Sequence, residues 1–181
     1  MGEWSPPKNL WICAMNYQSG TRVAFGRPGA PKAELAQAVQ ASCAIPAWFK
    51  PVAIEGEMYV DGGACSATSV DLLANMGLDE VYVIAPMVSF AMDRPENLIA
   101  KLERRWRVQV TKRCLREVEK VRENGADVII QGPGPEDLEA IGANLMDVSR
   151  RINVLETSLQ SSLEALRDPD HVGPDHLADV G

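Results

Sequence analysis

Five consecutive residues, Tyr59-Val60-Asp61-Gly62-Gly63, constrain this chain more than any other feature of it. They close a longer run, Ala38–Gly63, that starts on a helical pattern, breaks at Pro46, crosses a loop carrying Pro51 and rises into a short strand over Glu57–Val60. A carboxylate at a strand's C-terminal end, followed by two residues that permit tight backbone turns, is a common way to project one acid into a site. The dipeptide Asp-Gly is also ordinary hairpin-turn chemistry, so the residues around it must decide between the two readings.

The elements around that run follow from apolar spacing. Leu10–Met15 and Thr21–Phe25 read as strands, with Gln18-Ser19-Gly20 as the turn between them. Leu35, Ala38 and Val39 repeat at helical steps, which places a helix from Pro31 or Lys32 to about Ala41. Ser69–Asn75 predicts a helix stopped by Gly77, and Val81–Ala85 a strand apolar enough to be buried on both faces of a parallel sheet. Asn97–Asn124 is the longest helical pattern. Ile99, Leu102, Trp106, Val110, Cys114, Val118 and Val121 form its expected apolar stripe, which puts Trp106 in the core. Val128–Ile130 reads as a strand, Glu136 opens a helix, and Ser149–Leu166 is the last one. Strands alternating with helices indicate an α/β fold, and the early hairpin indicates a mixed sheet.

Charge and composition exclude several classes. The net charge is −7, yet Asp93–Glu123 holds ten Lys/Arg against six acids. An acidic body does not suit a nucleic-acid binder. The basic segment could rest on anionic lipid, but Glu103, Glu117, Glu119 and Glu123 interleave its cations, which favours a solvated face. No apolar run approaches the ~20 residues of a membrane span, the longest lying around Val81–Val88. The first residues, MGEWSPPKNLW, lack a secretory pattern. Cys13, Cys43, Cys65 and Cys114 have no paired spacing and read as reduced, buried thiols of a cytoplasmic protein. His171 and His176 lie far from every cysteine, so no metal site is expected.

Gly132-Pro133-Gly134-Pro135 follows a strand and precedes a helix, as a phosphate loop would. Its prolines remove amide donors, and no Lys-Ser/Thr follows, so a rigid connection is the better reading and nucleotide binding the weakest of the functional ones.

Read in order, Ala41-Ser42-Cys43-Ala44-Ile45-Pro46, Phe49-x-Pro51-Val52, Tyr59–Gly63 and Gly77-Leu78-Asp79-Glu80-Val81 resemble the second half of the patatin-like phospholipase domain. Where many members have Asn-x-Pro after the Gly-Gly turn, this chain has Ala67-Thr68-Ser69. The resemblance implies a three-layer α/β domain with a mixed, mostly parallel central sheet, N-terminally incomplete. Residues 1–90 would be the C-terminal part of the domain, 91–166 an α-rich region completing it, and 167–181 a disordered tail.

The resemblance implies a lipid acyl hydrolase acting on phospholipid or another lipid ester through a Ser-Asp dyad. Asp61 would be the general base and Gly62 and Gly63 its turn, with no metal and no organic cofactor. No Gly-x-Ser-x-Gly occurs in the 181 residues. The family's nucleophile elbow and oxyanion segment precede the Asp in chain order, so this chain resembles half of a catalytic machine: a truncated product, an expressed fragment or a pseudoenzyme. Ser42 lacks the glycines an elbow needs and reads as a buried serine, while Ser66 and Ser69 read as caps of the next helix. The rival expectation is a catalytically inactive module that binds lipid or protein. Peripheral membrane contact and self-association through an exposed sheet edge complete the expected partners.

Overall fold

The first hairpin forms because Asn16 organises its own turn. Its Oδ1 accepts hydrogen bonds from the backbone N–H of Gln18 (3.1 Å) and Ser19 (2.9 Å), and Gly20 supplies the positive φ that returns the chain. In the computed structural model, which describes residues 10–91, 98–142, 144 and 147–167, this hairpin joins β1 (Ile12–Asn16) to β2 (Arg22–Phe25). The fold class is α/β. The chain divides into two compact units, Met1–Ser69 and Val70–Gly181.

The first unit is a four-stranded antiparallel sheet in the order β2-β1-β4-β3, with α1 (Leu35–Ser42) packed against it. β3 (Val52–Ile54) pairs with β4 (Glu57–Asp61) across Glu55 and Gly56, both at positive φ, the backbone of a two-residue hairpin. Sequence reasoning took this stretch for a loop, because Glu is an unusual residue for the left-handed first position. Ala38 and Ala41 of α1 lie fully buried with Ala14, Phe25, Ile54 and Tyr59, and the small side chains let helix and sheet approach closely. Phe25 and Tyr59 meet edge to face at 5.1 Å between centroids.

The second unit holds β5 (Glu80–Ile84) and β6 (Asp127–Gln131), paired in parallel in register from Glu80↔Asp127 to Ile84↔Gln131. The 25-residue helix α2 (Leu98–Arg122) connects them. Val81 and Val83 of β5 and Val128 and Ile130 of β6 pack with Cys114, Val118 and Val121 of α2. α3 (Pro135–Ile141) follows with Pro135 in its first turn, and a 3-10 turn, Val148–Arg150, leads into α4 (Arg151–Arg167).

Several expectations need correction. Among the described strands, three pairings are antiparallel and one is parallel, so the sheet is not mostly parallel; the five-residue connection from β1 to β2 and the two-residue turn from β3 to β4 are too short for a parallel crossover. β5 is buried on one face only: Tyr82 and Ile84 are exposed, because α2 covers the other side. Ser69–Asn75 makes a 3-10 turn over Val70–Leu73, since a segment bounded by Ser69 and Gly77, both at positive φ, is too short for an α-helical ladder. Only Cys114 is a buried thiol; Cys13 and Cys65 are half-buried and Cys43 is exposed at the end of α1. Arg167 belongs to α4, and the rest of the expected tail lies outside the described residues, as does Asn97.

The buried line of α2 is Ala100, Arg104, Arg107, Thr111, Cys114, Val118 and Val121, a four-three repeat. It meets the expected stripe only from Cys114 onward. Ile99, Leu102 and Trp106 are exposed. Arginine takes the inner positions because both guanidinium groups find partners there. Arg107 Nε donates to Glu103 Oε1 (3.1 Å), Nη2 lies 2.9 Å from the same oxygen, and Nη1 donates to the Pro86 carbonyl (2.7 Å). Arg104 pairs with Glu103 and donates from Nη2 to the Leu138 carbonyl (2.9 Å).

Candidate functional site

β4 carries Asp61 at its last position. Ala14 of β1 lies opposite, and the Asp61 N–H leaves the ladder to bond the Ala44 carbonyl (3.0 Å), which ties the strand end to the end of α1. The chain then tightens into a 3-10 turn over Gly62–Ala64. Asp61 caps that turn: its Oδ1 accepts the Gly63 N–H at 2.6 Å. Gly62 is forced by contact rather than by conformation. A Cβ there would stand 2.4 Å from the Cys13 carbonyl oxygen, so only glycine lets the turn pass beneath β1. At Gly63 a Cβ would stand 3.0 Å from Asp61 Oδ1, crowding the carboxylate itself. The result is a half-buried carboxylate at a strand end, held by one amide and by the two glycines after it.

Among the described residues, no serine hydroxyl bonds the Asp61 carboxylate. Ser42 ends α1 and is half-buried. Ser66 is buried, and its Oγ accepts from the N–H groups of Ser69 (2.9 Å) and Thr68 (3.4 Å), so it shapes the turn before Val70–Leu73 as a cap would. Ser69 does not cap. Its φ is +53° and its buried Oγ has no hydrogen-bond partner, a local strain at the place where the sequence departs from the Asn-x-Pro pattern.

Sequence reasoning missed a hydroxyl–carboxylate pair in the second unit. Ser161 Oγ of α4 lies 2.9 and 3.0 Å from the two carboxylate oxygens of Asp137, and Asp137 Oδ2 accepts the Gly134 N–H (2.9 Å). The pair borders a cavity of about 440 Å³ between the Gln131–Asp137 connection and α4. No spacing signal announces it, because the partners are 24 residues apart on different helices. Ser161 stands inside a helix, bonded also toward the Ser158 carbonyl, and lacks the exposed elbow that an attacking hydroxyl requires. It locks α4 to α3. In the Gly132–Pro135 connection, a Cβ at Gly132 would stand 2.4 Å from the Val88 carbonyl oxygen, and Gly134 donates its amide to Asp137. That is a packed connection and not an anion cradle.

No group of three or more His, Cys, Asp or Glu able to hold a metal ion occurs among the described residues, and no helix among them is long and apolar enough to cross a membrane. No curated protein matches the chain. Residues 12–74, the N-terminal part of the chain that runs from β1 through the Asp61 turn to the 3-10 turn after it, match the family model of the patatin-like phospholipases.

Proposed function

We propose that this chain supplies the aspartate half of a patatin-like lipid acyl hydrolase, as the C-terminal portion of a three-layer domain whose serine lies in sequence outside these 181 residues. The observation that carries the reading is Asp61 itself: a carboxylate at the end of β4, on a turn that only Gly62 can make, inside the segment matched to the patatin-like phospholipases. In the complete enzyme Asp61 takes the proton from the serine Oγ as that oxygen attacks the ester carbonyl of a phospholipid or similar lipid. Asp61 returns that proton to the oxygen of the leaving alcohol as the C–O bond breaks, which restores the carboxylate. Asp61 then draws a proton from water, whose oxygen attacks the acyl-serine; the acyl–Oγ bond breaks, the proton passes from Asp61 to Oγ, and the fatty acid leaves. The capping amide of Gly63 holds the carboxylate in one orientation through both steps.

One observation favours a second reading, that of a catalytically inactive lipid- or protein-binding module. Asp61 meets a backbone amide and no serine among the described residues. The bare sheet face of Tyr82, Ile84 and Ile129 would then serve association.

A chimera separates the two. Residues 12–74 replace the equivalent segment of an active patatin-like hydrolase, and fatty-acid release is measured with and without Asp61→Asn. The hydrolase reading expects activity in the chimera and a loss of roughly 10²-fold or more in kcat/KM on substitution. A folded but inert chimera supports the binding module. The 181-residue chain alone should form no covalent adduct with a fluorophosphonate probe by intact mass. An adduct abolished by Asp61→Asn would show that a serine of this chain is activated and would overturn the half-machine reading.

A further inference from the structure

The first three turns of α2 present to solvent a face that sequence periodicity assigns to the core. Leu98, Leu102 and Trp106 follow one another at four-residue steps with exposures of 80, 69 and 51%, and Ile99 beside them is 68% exposed. Between and beyond them stand the exposed cations Lys101, Arg105, Lys112, Arg113 and Arg116. Of the four acids that interleave the helix's cations, Glu119 and Glu123 are exposed but lie beyond Val118, and the two nearer the apolar residues leave the face. Glu103 turns inward to Arg104 and Arg107, and Glu117 is buried with its Oε1 3.1 Å from Arg113 Nε. From Leu98 to Val118, every exposed charge on the helix is therefore positive.

We propose that this outer face of α2 docks on an anionic phospholipid surface. Leu98, Ile99 and Leu102 enter the acyl boundary, Trp106 lies at headgroup depth, and Lys101 and Arg105 meet lipid phosphates and carboxylates. Charge selects the occupant. A second copy would set the same cations against each other, whereas an anionic bilayer neutralises them and accepts the apolar side chains between them. The inference deepens the lipid reading by naming where the protein meets its substrate phase, yet it is carried by α2 and not by Asp61. Vesicle binding can therefore fail while the chimera is active, or succeed while it is inert.

The test is co-sedimentation of the 181-residue chain with vesicles of phosphatidylcholine alone and of phosphatidylcholine mixed with phosphatidylserine. Binding is expected to the mixed vesicles only and to weaken as salt rises. Lys101→Glu/Arg105→Glu should weaken it at least roughly fivefold per position, and Leu102→Ser/Trp106→Ser should reduce it to the level seen on phosphatidylcholine alone. All four side chains are exposed, so circular dichroism and thermal melting should match the parent. No binding to mixed vesicles, equal binding to both kinds, or variants that bind like the parent would each overturn the proposal. A dimer in sedimentation velocity that either double variant dissociates would also overturn it, by giving the face to a second copy.

Discussion

The two units hold themselves together by different means. In the first, the limiting contacts are steric. Alanines at 14, 38 and 41 bring α1 onto the sheet, and Gly62 slides under the Cys13 carbonyl with no room for one more carbon. In the second, a charge is buried at the centre of the longest helix. The Arg107 side chain is wholly inaccessible and depends on Glu103 and the Pro86 carbonyl. A unit built on close approach should be sensitive to volume and indifferent to charge, while one built on an internal ion pair should show the reverse.

The largest effect is expected where the charge is buried. Glu103→Ala removes the carboxylate that Arg104 and Arg107 share and should cost about 3–5 kcal/mol in urea unfolding, the usual penalty for removing one member of a buried pair. Hydrogen exchange should locate the loss in α2, β5 and β6. A cost below about 1 kcal/mol would mean that Arg107 does not depend on the Glu103 carboxylate, and the contrast between the units would collapse.

Volume comes next. Gly62→Ala must push β1 and β4 apart and should cost about 3 kcal/mol, at the upper end of overpacking penalties, with lost protection in β1 and β4. Gly63→Ala meets only a movable carboxylate at 3.0 Å and should cost about 1 kcal/mol or less. Equal costs at the two glycines would contradict the contact that distinguishes them.

These contrasts also mark what was legible in the sequence. The first unit is made of local pairings, so alternation and turn residues locate its strands, and Asp61 emerges at the end of β4 as expected. The one strand overlooked, β3, hides behind Glu55-Gly56, whose turn geometry is encoded by a residue that rarely adopts it. The second unit misleads because hydrophobicity is not what decides its helix. A four-three line through Ala100, Arg104, Arg107 and Thr111 is buried, while the greasier line through Leu98, Leu102 and Trp106 faces out. Glu103 resolves the paradox, but its partners are visible only once the Pro86 and Leu138 carbonyls are in place.

A smaller effect tests the hydroxyl–carboxylate pair. Ser161→Ala removes a donor from the buried Asp137 and should cost about 1–2 kcal/mol in unfolding. Because Ser161 is read as a clamp between α3 and α4, Ser161→Ala should leave the reactivity of the chain toward a fluorophosphonate unchanged. A reactivity that vanished with Ser161 would move the nucleophile into the second unit.

The smallest effect comes from a motif that the units share. Asp61 and Asp147 each open a 3-10 turn by accepting the N–H two residues on, from Gly63 at 2.6 Å and from Ser149 at 3.0 Å. Ser149 adds a hydroxyl, donated to the same Asp147 oxygen at 2.6 Å, where glycine has none to give. That hydroxyl first, then the Ser149 amide, hold the Asp147 carboxyl below the ordinary aspartate value of 3.8; desolvation opposes them, and the nearby Arg150 adds a smaller pull downward. A carboxyl whose folded value is depressed stabilises the fold fully above its unfolded value and loses that contribution as pH falls through the folded one. Acidification below about pH 4 should therefore loosen Val148–Arg150 and the start of α4, seen as a shift of the Ser149 amide resonance that Asp147→Ala abolishes. An identical acid transition in Asp147→Ala would assign it to another group.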